Sequence, residues 1–162
     1  MGKPRKLTKH TIPRHVRALR KQCGYMEHAY SVGGMPPARD REGGFRTLLR
    51  IIIDQQISVH AGAAIWAKLE KRLTDITAAR VLAVQEHTLQ ECGLSGQKIR
   101  YARELAKAIR SGDLDLEALH KLDDDTAAAQ LTQVKGVGTW TAEIYLMFAM
   151  GRPDILPAGD LA

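Results

Sequence analysis

The stretch Gln133-Val134-Lys135-Gly136-Val137-Gly138-Thr139-Trp140-Thr141-Ala142 constrains the fold more than any other part of the chain. A helix is expected to end at Val134 and another to begin at Thr139, with the two glycines forming a tight turn between them. Glycine tolerates positive φ and brings no side chain into the turn. The main-chain N–H groups of the turn and of the new helix's first turn then point outward without helical partners. Such a cluster, backed by the positive end of a helix, is a ready anion site. Val137 is expected to plug down between the two helices and fix the turn. A plain corner between helices would need the glycines for geometry alone; Val134 before them and Thr141-Ala142 after them favour the anion site.

Around this turn the pattern is helical nearly throughout. No alternating run of β-branched residues reads as a strand, and Gly and Pro fall at punctuation points. Residues 1–12 read as a flexible basic arm, and a first helix is expected near Pro13, which suits an early helical position. Met35-Pro36-Pro37 and Gly43-Gly44 bracket a loop. Helical stretches are expected at 45–54, 57–73, 76–83, 86–91, 98–110, 116–122, 127–133 and 141–150. The stretch 98–110 is clearly amphipathic, with Ile99, Ala102, Leu105, Ala106 and Ile109 on one face. The fold expected is all-α, a single-domain helical bundle over residues 13–162 of a 162-residue chain.

Charge narrows the function. Lys3, Arg5, Lys6, Lys9, Arg14, Arg17, Arg20 and Lys21 all precede the first acid, Glu27, and the net charge is +6. A basic chain points to a polyanionic partner, although here most of the excess sits in the N-terminal arm. Two cysteines, Cys23 and Cys92, exclude a disulfide scaffold or a four-cysteine metal site within the chain. With no apolar span and no secretory signal, a cytoplasmic, intracellular setting is expected. His60, His87 and His120 show no metal spacing. Asp123-Asp124-Asp125 reads as a helix N-terminus. Trp66 and Cys92 read as core, and Lys98 as either solvated or phosphate-facing.

The turn is the helix-hairpin-helix pattern, and the chain after it resembles a known family. Gly151-Arg152-Pro153-Asp154-Ile155-Leu156-Pro157-Ala158-Gly159-Asp160 is similar to the Gly/Pro-rich loop and aspartate of the helix-hairpin-helix superfamily of base-excision DNA glycosylases. Upstream, Phe45 to Ser58 resembles that family's helix leading to a glutamine-containing, DNA-inserting turn, and Gly93-Leu94-Ser95 with Lys98 resembles its Gly-Leu-Ser…Lys segment. The likeness is greatest to the alkylation-repair branch, of the 3-methyladenine DNA glycosylase II type. Members of that group continue past the aspartate through further helices, so the resemblance implies a C-terminally incomplete domain here.

The resemblance implies residue roles. Asp160 would be the catalytic carboxylate, stabilising an oxocarbenium-like sugar and orienting water; Asp154 is the nearest rival and reads as a loop acid. Trp140 and Tyr145 are candidates for the aromatic faces of a base pocket, where a cationic alkylpurine is attracted by cation–π interaction; core packing is the competing role for both. Lyase members carry a nucleophilic lysine at the position of Trp140, so water is the expected nucleophile. Gly136, Val137, Gly138 and Thr139 would grip the DNA backbone. Gln55 or Gln56 would fill the gap left by a flipped base. Carbonyls of Thr132, Val134 and Val137 would hold a monovalent cation, with no other cofactor. The implied partner is double-stranded DNA containing damaged bases, met by a monomer, with no membrane involved. A non-catalytic DNA-binding domain and a glycosylase for oxidised or mismatched bases remain the alternatives.

Overall fold

The computed structural model describes residues 6–38 and 41–160. Every regular element among them is helical: α1 (Ile12–Gln22), α2 (Gly24–Gly33), α3 (Phe45–Asp54), α4 (Val59–Leu73), α5 (Ala78–Ala83), α6 (Glu86–Glu91), α7 (Gly96–Ser111), a 3₁₀ turn (Ala118–Lys121), α8 (Asp124–Thr132) and α9 (Thr139–Phe148). The all-α architecture read from the periodicity is the one found. No helix among the described residues is long and apolar enough to cross a membrane.

Helix α3 is the axis of the core. Its Leu48, Leu49, Ile51, Ile52 and Ile53 are buried, while Arg46, Arg50 and Asp54 form one polar stripe at i, i+4 and i+8. Three consecutive isoleucines are indifferent helix formers. Packing against α4, α7 and α9 overrides that preference. From α7 come Ile99, Ala102, Leu105 and Ala106, four of the five residues that its periodicity assigns to one face. Helix α4 contributes Trp66, Leu69 and Leu73. Cys92 is buried as expected, and burial raises its thiol pKa.

The N-terminal region forms two helices. The helix beginning around Pro13 is broken at Cys23, which is extended (φ −140°, ψ 118°), and α2 restarts at Gly24. Glycine at the corner weakens the helix, and Arg20 clamps the break by donating two hydrogen bonds to Glu27, at 2.6 and 2.9 Å. Neither α1 nor α2 buries a residue. Of the basic arm expected at 1–12, residues 1–5 lie outside the described residues. Leu7 within it donates its N–H to Gly151 O at 2.6 Å, against the end of α9.

Arg152 is a structural anchor that the sequence did not signal. It is 2% exposed. Its guanidinium donates to Asp124 Oδ1 at 2.5 Å and to Leu119 O at 2.8 Å, and its N–H donates to Leu146 O. Asp123 caps α8 by accepting from the Thr126 N–H, so the neighbouring Asp124 is free to meet Arg152. The Gly/Pro loop after α9 is thereby pinned to the start of α8. Replacing Arg152 with Met leaves the buried Leu119 carbonyl without this donor and Asp124 without its ion-pair partner, and is expected to cost about 1–3 kcal/mol, read as a lower urea midpoint at unchanged slope.

Candidate DNA interface and active site

The hairpin is built as its glycines require, with one change of role between them. Val137 donates its N–H to Val134 O at 2.9 Å, closing a turn over Lys135 and Gly136. Gly136 takes φ 98°. A Cβ there would also fall 2.6 Å from the Tyr101 Cβ, so both backbone and packing demand glycine. Gly138 is different: at φ −86° and ψ 177° it is extended, and nothing lies within 4 Å of a Cβ placed on it. Its value lies in what it omits. It is the N-cap of α9, and no side chain caps that end, nor does an acid stand in the first turn. The first N–H groups of α9 therefore keep their positive field facing outward. Val134 and Val137 are buried beneath, 7% and 3% exposed, which is the plug expected of the valine.

The two glutamines at the end of α3 are separated by the fold. Gln55 turns inward: its Nε2 donates to Gly136 O at 3.1 Å and to Thr141 Oγ1 at 2.7 Å. Gln56 is exposed and takes φ 54°, a conformation that non-glycine residues adopt at a cost. Of the pair, Gln56 alone has a side chain free to leave the surface. Lys98, from α7, lies beneath the turn and donates to Ile53 O at 2.5 Å and Gln55 O at 2.9 Å. Its ammonium, half-buried, is turned onto main-chain carbonyls, a role beside the solvated and phosphate-facing ones its sequence context offered. Burial lowers its pKa, and the nearby Asp54 charge offsets part of that.

Trp140 and Tyr145 also part company. Trp140, in the first turn of α9, is half-buried against the core. Tyr145 is 1% exposed, and its hydroxyl accepts the Gly44 N–H at 2.8 Å. Burial raises its phenol pKa. Tyr145 is thus a core residue tying α9 to the start of α3, and it offers no face to a ligand. Asp160 is exposed at the end of the Gly/Pro loop. Its N–H donates to Pro157 O at 2.9 Å, and its carboxylate has no hydrogen-bond partner among the described residues. Thr132 is exposed at the end of α8, while Val134 O already accepts the turn bond from Val137. No cluster of His, Cys, Asp and Glu fit for a metal occurs among the described residues.

Beside the glutamine turn lies a cleft of about 410 Å³ lined by Arg41, Arg46, Arg50, Asp54, Val59 and Trp66, among others. Arg50 donates to Asp54 at 2.8 Å, and the Arg46 and Arg50 guanidiniums lie 5.4 and 5.1 Å from the Trp66 ring centre. Trp66 donates its Nε1–H to Glu70 at 2.9 Å, so this core residue is also polar at its rim. The contacts that Lys98, Thr141 and Tyr101 make around the hairpin are what sequence reasoning did not place. The partners involved are 35 to 86 residues apart along the chain, beyond any local signal.

Residues 49–162 match the HhH-GPD superfamily of base excision DNA repair proteins, and the chain belongs to that family. Among characterised relatives, DNA-3-methyladenine glycosylase 1 of Schizosaccharomyces pombe is 29% identical over 137 residues, covering 81% of this chain and 60% of the relative. The chain therefore spans under two thirds of that relative's length. The crystal structure of a DNA-3-methyladenine glycosidase from Bacillus halodurans superposes with a TM-score of 0.81 at 29% identity, over 97% of this chain and 72% of the other. A 3-methyladenine DNA glycosylase (Mag1) of S. pombe, solved in complex with abasic DNA, gives 0.80 at 27% identity, over 91% of this chain and 75% of the other.

Proposed function

We propose that this chain carries the DNA-gripping and catalytic elements of a monofunctional DNA glycosylase that hydrolyses the N-glycosidic bond of alkylated purines such as 3-methyladenine in duplex DNA. The observation that carries the proposal is the make-up of α9. The helix starts on an uncapped, acid-free N-terminus, bears Trp140 in its first turn, and leads through a pinned loop to an exposed Asp160. The names of the relatives, and the DNA bound to one of them, support the same reading.

The chemistry follows from these groups. Phosphate held at the hairpin fixes the strand, Gln56 fills the gap, and the flipped nucleotide leaves the stack. An alkylated purine is already cationic, so it departs as a neutral base without strong acid assistance. The sugar left behind gains oxocarbenium character. The Asp160 carboxylate stabilises that charge and orients a water, which forms the new bond at the anomeric carbon and gives up its proton to that carboxylate. The Trp140 face favours the cationic base over its normal counterpart. A monovalent cation at the carbonyls of Thr132, Val134 and Val137 fits this reading. These are neutral, hard oxygen donors, and α8 ends with no basic residue to offset the negative pole of its dipole. The protein works as a monomer on intracellular duplex DNA.

Trp140 carries a test of the mechanism. With no lysine at that position, no Schiff base forms with the sugar. Incubation with methylated duplex in the presence of borohydride is expected to yield alkali-labile abasic sites and no trapped protein–DNA adduct. An adduct through any lysine would make the enzyme bifunctional and overturn the assignment of water as nucleophile.

A further inference from the structure

We propose that Lys98 and the Gln55 side chain form a positioning bridge that locks the Gln56 turn in register with the phosphate-gripping hairpin, so that backbone grip and gap filling act as one rigid unit. The proposal rests on the reading of Gln56 as the gap-filling side chain.

Helix α3 ends in carbonyls that no later turn of the helix can satisfy. Lys98, 45 residues away, supplies the donor: its Nζ bonds Ile53 O at 2.5 Å and Gln55 O at 2.9 Å, placing a cation at the negative end of the helix. Gln55 is thus held through its main chain from α7. It is also held through its side chain from the hairpin, by Gly136 O and the buried Thr141 hydroxyl. The next residue, Gln56, stands at φ 54° between these fixed points. A cost of order 1–2 kcal/mol attaches to such a backbone conformation. A turn held on one side only would relax it. Hydrogen bonds from two different elements converge on the residue just before it, so the strained turn is over-determined. The cavity of about 260 Å³ beside the turn, lined by Gln56, Ile57, Lys98 and Tyr101 among others, is the space into which Gln56 would swing without the bridge.

The two roles open to Lys98, capping α3 and positioning Gln56, differ in what DNA reports. The test uses this chain and a duplex with an abasic-site analogue flanked by 2-aminopurine, whose fluorescence changes when a side chain enters the gap. Affinity is read in parallel by anisotropy, and folding by helical circular dichroism. The parent chain is expected to give the fluorescence change and Gln56→Ala to abolish it. Lys98→Met and Gln55→Met are each expected to reduce it several-fold while anisotropy still reports binding. Gln55→Met carries the test should Lys98→Met fail to fold. If Gln56→Ala removes the signal while Lys98→Met and Gln55→Met keep it at the parent level, the bridge is overturned and insertion by Gln56 stands. If Gln56→Ala itself keeps the signal, the insertion reading fails and the bridge falls with it.

Discussion

Replacing Asp160 with Asn is expected to slow base release by about 10²-fold or more while leaving DNA binding unchanged or tighter. The carboxylate is exposed and has no hydrogen-bond partner among the described residues. Bound DNA would exclude water around it, and there a single charge facing an oxocarbenium contributes most. Asn preserves size and hydrogen-bonding capacity, so it isolates the charge. It is also as good a helix cap as Asp. If Asp160 did no more than cap a following helix, the substitution would leave the rate intact. Single-turnover release of methylated base separates the two roles: a near-parent rate for Asp160→Asn would remove Asp160 from the chemistry. Tighter binding has a simple source, since one negative charge near the phosphates is gone.

Gly138→Asp has the second largest expected effect, and its sign differs between folding and binding. At φ −86° with open space around it, position 138 accepts a side chain without strain. An aspartate there would cap the bare N-terminus of α9 and stabilise the fold by about 0.5 kcal/mol. The same carboxylate would occupy the N–H groups offered to DNA phosphate and repel it at close range. A loss of affinity of about 10-fold or more follows, with the slope of log affinity against log salt smaller by about 1. Titration of an abasic duplex at several salt concentrations, alongside a urea melt, reads both effects. A more stable protein with parent affinity would show that the hairpin is a plain corner and holds no phosphate.

Several elements were legible in the sequence because their signals are local. The period of α7, the glycine-bracketed valine and the Asp123 cap each sit within a few residues of the structure they specify. What differed was set by distant partners. The two hairpin glycines look alike in sequence, yet only Gly136 has positive φ, and only there does a side chain, Tyr101, pack where a Cβ would be. Gln55 and Gln56 are the same residue type in adjacent positions. Their division of labour depends on Gly136, Thr141 and Lys98, which lie 42 or more residues away along the chain. Tyr145 and Trp140 share a helix, and their different roles show only in the fold, where Tyr145 is buried and takes a hydrogen bond from Gly44. The break at Cys23 is marked locally by Gly24, but the Arg20 to Glu27 clamp that holds it forms only once the two helices turn. Arg152 reads as one more surface charge until Asp124 and Leu119 are brought beside it. Asp160 was located by family resemblance, and its geometry adds that the carboxylate is open to an incoming substrate.

The identity of the released base tests the whole account most directly. Duplex DNA treated with a methylating agent, and matched duplexes carrying 8-oxoguanine or a G·T mismatch, are incubated with the protein. Free bases are then separated from the polymer and identified by mass. The expected result is release of 3-methyladenine and 7-methylguanine, lost on Asp160→Asn, and no release of 8-oxoguanine or mismatched thymine. Release of the oxidised or mismatched base in preference to the methylpurines, or binding to every duplex with no base released from any, would contradict it.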